Sequence, residues 1–222
     1  MNLQAKQKPI LFTDAMVRAI LEGRKTQTRR MAGNIKHRII KGDDGNWYDA
    51  DGVSPGRLIG CRQGAPGDRL WVKEGVIKIG HARTGKNGQY LWPTFANDER
   101  SKRWFASECA YTADLKASDP LYLGTYGTLN KMFMPRWASR ITLEIKSVRA
   151  ERVQDISEAD AMAEGCEHSN RPGMDVDING ESWNGAYRRA YRNLWNSING
   201  PGSWDANPFC WVIEFARVGG GQ

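Results

Sequence analysis

Lys25 and Thr28 stand three residues apart in "LEGRKTQTRRM", Leu21 to Met31, a stretch that places four basic side chains and two threonines between Arg24 and Arg30. A threonine hydroxyl attacks a carbonyl only when a base removes its proton. A lysine is such a base if burial or nearby positive charge lowers its pKa, and Arg24, Arg29 and Arg30 supply that charge. A carboxylate would then be needed to orient the ammonium and carry protons; it would also raise the lysine pKa, so burial must dominate. The same residues read as a basic helix end, where the dipole favours cations. They also read as a phosphate-contacting patch.

Carboxylates and aromatics elsewhere add candidates. Glu74 ends "GDRLWVKE" and is a pocket-wall carboxylate or an exposed strand-end charge. Glu158, Asp160 and Glu164 lie along "ISEADAMAEG". The first two suit a helix N-terminus; Glu164 sits at the C-terminal end, where an anion is disfavoured, and so asks for a cation partner. Trp204 and Asn207 in "GSWDANPF" suit base stacking and base-edge reading, or a loop that packs its tryptophan inward. Arg188, Arg189 and Arg192 form a basic helix face, solvated or phosphate-facing.

No cofactor is expected: the glycines after residue 195 match neither G-x-G-x-x-G nor G-x-x-x-x-G-K. Cys61, Cys109, Cys166 and Cys210 are scattered without a C-x-x-C pair, and Cys166 with His168 lacks a second ligand pair. No metal site is therefore expected. His37, His81 and His168 have no evident triad partners.

These residues need positioning. "PILF", residues 9–12, reads as a strand, and Asp14 caps a helix over 15–22 with Met16, Val17, Ile20 and Leu21 at helical spacing and Gly23 as its stop. "RKTQTRRM" follows as loop or strand. Residues 34–66 suggest an excursion holding a hairpin, "HRIIK" to "NWYDADG". Arg69 to Glu74 form a strand after a Pro-Gly-Asp turn. A second excursion fills 76–134, with a strand expected at "RWFASECAYT", 103–112. "SRITLEIKSVRAERV" alternates clearly, with Ile141, Leu143 and Ile145 on one face. A short helix follows, with Ser157 as cap and Asp160 three residues on. Then come a polar loop over 166–182, a helix over 183–198 with a Tyr187, Tyr191, Leu194, Trp195, Ile198 stripe, and a closing strand "NPFCWVIEFARV". Without βαβ alternation, an α+β chain built on a small, mostly antiparallel barrel with flanking helices is expected. It reads as one domain over 1–218 with insertions near 34–66 and 76–134, and a loose tail, 219–222.

The chain has 222 residues, 40% hydrophobic, and a net charge of +7. That charge favours a polyanion partner or plain solubility. Nine tryptophans can fill cores or stack on bases. No stretch is long and apolar enough for a signal peptide or membrane span, so no membrane partner is expected. Free thiols predict a reducing, cytoplasmic setting.

"ILEGRKTQTRR", then "PGDRLWVKE", "ISEADAMAEG" and an apolar closing strand resemble, in that order, the ASCH domain of the PUA-like superfamily. "MPRWASRITLEI" and "SWDANPFCWVIEF" are similar to the ASCH proteins of phages and prophages. The resemblance implies a small barrel, a cleft lined by the G-R-K-T segment, and RNA or a modified nucleoside as partner. One bacterial branch is an amidohydrolase that deacetylates N4-acetylcytidine with a lysine, a threonine and a glutamate. Lys25, Thr28 and Glu164 match those positions, and Arg30 matches the arginine that ends the motif. Lys25 would activate Thr28 to attack the amide, Glu164 would hold Lys25, and Arg30, Arg29, Glu74, Trp204 and Asn207 would bind substrate. Arg29 stands where that enzyme has an apolar residue, and the two insertions are additions to its compact domain. Other ASCH proteins are linked to RNA cleavage or to RNA binding alone.

Overall fold

The computed structural model describes residues 5–33, 35, 38–43, 45–50, 57–78, 83–84, 86–87, 90–91, 99–114, 128–167 and 186–219. Most of the expected 166–182 loop, the three histidines and the end of the tail lie outside them. The chain is α+β, with several sheets and few helices. Its strands are β1 (Gln7–Leu11), β2 (Gln27–Met31), β3 (Arg38–Lys41), β4 (Trp47–Ala50), β5 (Arg57–Ile59), β6 (Arg69–Lys73), β7 (Val76–Lys78), β8 (Arg83–Thr84), β9 (Tyr90–Leu91), β10 (Cys109–Tyr111), β11 (Thr128–Leu129), β12 (Thr142–Arg152) and β13 (Phe209–Val218). The α-helices are α1 (Asp14–Leu21), α2 (Glu99–Glu108), α3 (Glu158–Ala163) and α4 (Ala186–Asn199). Two compact units divide the chain: 1–21, 69–143 and 217–222 form unit 1, and 22–68 with 144–216 form unit 2.

In unit 1, β1 and β6 pair in parallel from Gln7 opposite Arg69 to Leu11 opposite Lys73. Helix α1 starts where the Thr13 carbonyl accepts the Val17 N–H, and it buries Val17 and Ile20, one turn apart. Strand β7 lies between β10 and β11, antiparallel to both. The strand expected over 103–112 is instead a helix to Glu108, followed by the short β10. Ser101 and Phe105, four residues apart, are both buried, and Lys102 pairs with Glu99 across one turn. Phe105 meets Trp137 edge-on at 5.4 Å in a cluster with Val76, Met134 and Ala138. That tertiary burial on a helical period outweighs the strand preference of the aromatic residues.

In unit 2, β2 runs antiparallel to β13. The hairpin in 34–66 is a three-strand antiparallel meander, β3–β4–β5, and Trp47 on β4 meets Trp211 on β13 edge-on at 5.6 Å. Along β12, Leu143 and Ile145 are buried while Lys146 faces solvent. Helix α4 buries Tyr191 and Trp195 against Val153, Ile156, Ala161, Trp204, Cys210 and Val212. The stripe stops there: Ile198 is exposed.

Helix α3 is six residues long, too short to persist on propensity alone. Ser157 caps it by accepting the Asp160 N–H at 3.0 Å. Ser157→Ala should lower stability by about 1 kcal/mol, read as a shift of the denaturant midpoint at unchanged slope.

Candidate functional site

The site grows from the turn after α1. Gly23 takes a left-handed φ of 77°, which a side chain resists, and turns the chain out of the helix. Lys25 then forms an isolated antiparallel bridge with Glu164, and the Thr26 N–H donates to the Ala163 carbonyl. From Gln27 the chain is β2, in register with β13: Gln27 opposite Glu214, Thr28 opposite Ile213, Arg29 opposite Val212, Arg30 opposite Trp211.

Lys25 and Glu164 meet in a dry setting. Their side chains are 0% and 2% exposed, and Nζ lies 2.8 Å from Oε2. Nζ also donates to the Glu164 and Gln27 carbonyls, each at 2.8 Å, so all three ammonium protons have acceptors. Gly165 closes α3 with φ 81°. Glu164, an anion at a helix C-terminus, is held there because Lys25 binds both its carboxylate and its carbonyl. Burial pulls the Lys25 pKa below the ordinary lysine value; Glu164 opposes this and Arg30 adds to it.

Arg29 extends the network. Its side chain is fully buried and reaches Glu151 at 2.9 Å, Asp160 at 3.2 Å and Glu164 at 3.4 Å. Burial opposes its charge, but Glu164 first, with Tyr191, Cys210 and Asp160, raises its pKa above the arginine norm. Arg149 on β12 binds Glu151, Glu214, Asp160 and the Gln27 side-chain oxygen. Burial pushes Asp160 up, yet Arg29, Ser157 and Arg149 outweigh it and hold the carboxyl below its usual range.

The side chains beside this network line an open pocket of ≈ 410 Å³: Thr26, Gln27, Lys146, Ala159, Asp160, Ala163, Glu214 and Phe215. Gln27 is 2% exposed. Its Nε2 has no hydrogen bond of good geometry, although the amide stands near enough to Asp160 to help keep that group ionised. Lys25, Thr28 and Glu164 are not among the lining residues.

The remaining candidates fall elsewhere. Strand alternation puts Thr28 and Arg30 on the face of β2 opposite Gln27 and Arg29. Thr28 is buried; Arg30 is half-buried, and burial lowers its pKa against the pull of Glu164 and Tyr191. Trp204 packs in the α4 cluster. Asn207, at φ 43°, accepts the Gln154 N–H with its side chain and the Arg152 guanidinium with its carbonyl. Glu74 belongs to unit 1, where Arg140 grips it with two bonds and also grips Asp114. Burial raises the Glu74 pKa against Arg140.

Sequence reasoning did not single out Gln27, Arg149, Glu151 and Glu214. The signal was the strand period: Ser147, Arg149 and Glu151 continue the Ile141–Ile145 face, which turns polar where it meets the site. Among the described residues no group of three or more His, Cys, Asp or Glu side chains could hold a metal ion, and no helix is long and apolar enough to cross a membrane.

No known family profile matches the chain, and no curated protein matches it. Among solved structures it is similar to an ASCH domain from Lactobacillus crispatus JV V101, at 11% identity and a TM-score of 0.34, over 96% of this chain and 79% of that one. A likeness at that level carries no argument for family, site or activity.

Lys25→Met leaves the Glu164 carboxylate buried without its ammonium, so it should cost about 3–5 kcal/mol. An unchanged denaturation midpoint would show that the pair does not hold α3 to β2. Burial raises the Cys210 thiol from 9.0 to about 12, with Arg29 opposing. The folded pKa lies above the unfolded one, so this contribution is complete below pH 9 and fades as pH climbs towards 12. Cys210→Ala should flatten the alkaline limb of a stability-versus-pH curve.

Proposed function

We propose that this chain is an ASCH-type domain of the phage and prophage branch, its central strands forming the PUA-like barrel. In this reading unit 2 binds RNA or a modified nucleoside through the pocket at Thr26 and Gln27 without cleaving it. One observation carries this: Gln27 lines the pocket, whereas Lys25, Thr28 and Glu164 do not, and Lys25 and Glu164 are hydrogen-bonded to each other. The Gln27 amide would donate to a base carbonyl or ring nitrogen, and Asp160 or Glu214 would accept from an exocyclic amine. Phe215 supplies an apolar wall, and Lys146 at the same pocket suits a phosphate. The +7 net charge steers a polyanion towards the protein. The four free cysteines suit the reducing cytoplasm.

A second reading, the N4-acetylcytidine amidohydrolase, is favoured by the lowered Lys25 pKa beside Glu164. It needs substrate to reach Thr28, which does not line the pocket. In calorimetric titrations with cytidine, N4-acetylcytidine and short single-stranded RNA, we expect binding that weakens with salt, and roughly tenfold weaker in Gln27→Leu of unchanged circular dichroism. N4-acetylcytidine should be recovered intact. Acetate release by the wild type, abolished in folded Lys25→Ala and Thr28→Ala, would overturn the binding reading in favour of the hydrolase; absence of any nucleoside or RNA binding would sink both.

A further inference from the structure

Unit 1 has a cavity of its own, ≈ 420 Å³, bounded by Asp14, Gly75, Val76, Thr112, Leu129, Asn130 and Lys131. The neighbouring charges are already paired. Arg140 binds Glu74 and Asp114 together, and its guanidinium lies 4.0 Å over the Tyr111 ring. The polar groups at the cavity itself are different. Asp14 makes no side-chain hydrogen bond or ion pair among the described residues, and neither does Lys131. The two opposite charges line one cavity yet stand too far apart to pair.

Two further features point to an occupant. The Thr112 hydroxyl is buried without a hydrogen-bond partner, a destabilising state unless something fills it. It converges with Asp14 on the bare Cα of Gly75: a Cβ there would sit 2.1 Å from Thr112 Oγ1 and 2.8 Å from Asp14 Oδ1. The Thr112 N–H donates to the Gly75 carbonyl at 3.0 Å, which fixes the residue following β10 against that glycine. The Asn130 side-chain oxygen caps the following 3-10 turn by accepting the Met132 N–H, so its amide nitrogen remains to donate. Val76 and Leu129 supply apolar surface in the same cavity.

We infer that this cavity binds a small zwitterion with an apolar body, of the class of a free aliphatic amino acid. The ligand ammonium sits on the Asp14 carboxylate and donates to Thr112 Oγ1. Its carboxylate is received by Lys131 Nζ, helped by the Asn130 amide. The aliphatic part lies against Val76 and Leu129. A ligand with both charges joins two groups that are not paired with each other, whereas one with a single charge leaves its counterpart in the cavity unmatched. This site is independent of the pocket in unit 2.

The test is calorimetric titration of the full chain with L-leucine, 3-methylbutylamine and 4-methylpentanoate, which share the aliphatic body and carry both charges, the cation alone and the anion alone. L-leucine should bind, and each single-charge analogue should bind roughly tenfold or more weakly. Asp14→Asn and Lys131→Met, both at positions only partly buried, should each reduce L-leucine affinity by a similar factor while leaving the thermal melting of the free protein in place. Equal binding of all three compounds, L-leucine affinity unchanged in both variants, or no L-leucine binding at millimolar concentration would each overturn the inference.

Discussion

One ammonium group organises unit 2. Lys25 Nζ is shared by the Glu164 carboxylate, the Glu164 carbonyl and the Gln27 carbonyl, with no solvent exposure of its side chain. Removing both charges from water is expensive, and their attraction offsets that only with complete hydrogen bonding. Here the lysine protons are all accommodated, and Arg29 takes the other carboxylate oxygen. The pair ties the C-terminal end of a one-and-a-half-turn helix to the start of a strand. Asp160, on the same helix, is bound in turn by Arg29 and Arg149. The helix is therefore held at both ends of its length by ions, not by a long apolar face.

That lattice explains which residue is offered to a ligand. The arginines and Lys25 fix the carboxylates of Asp160 and Glu164, and Arg149 fixes the Gln27 oxygen. Gln27, Asp160 and Glu214 are the members of this network that line the pocket. Held by these ion pairs, the side chains are pre-positioned, which favours hydrogen-bond reading of a base edge. Unit 1 shows the same economy in its own network: one guanidinium serves both Glu74 and Asp114, while Asp14 stays outside it.

Much of this was legible in the sequence. The span of α1, the alternation of β12, the Ser157 cap and the α4 stripe as far as Trp195 follow from local periodicity and capping chemistry, and the structure has them within a few residues; the α1 cap is Thr13, whose hydroxyl accepts the Met16 N–H, and not Asp14, which lies inside the helix. Glu164 stood out because an anion at a helix C-terminus needs a cation. The hidden parts are those set by pairing. Gln27 faces Glu214 only through the register of β2 on β13, which sequence spacing cannot supply. Arg149 and Glu151 look like an ordinary solvated strand until that register brings them to Arg29. The α2 segment was misread as strand because its aromatic residues weigh towards β in isolation, while burial of Ser101 and Phe105 decides for the helix.

The position of Thr28 follows from the same geometry. Residues 27 and 28 are adjacent, so a strand must point them to opposite faces. If Gln27 and Arg29 face Asp160, then Thr28 and Arg30 face the other way, among Ile213 and Trp211 on the neighbouring strand. A lysine that bridges to Glu164 and to the Gln27 carbonyl is directed to the helix side of β2. A nucleophile on the far face would need that lysine to abandon acceptors it already holds at 2.8 Å. Replacing such a buried pair by apolar residues is often neutral for stability. Its value here is therefore positional: ions tolerate only the arrangement in which every charge is met, and that arrangement puts the Gln27 amide at the pocket.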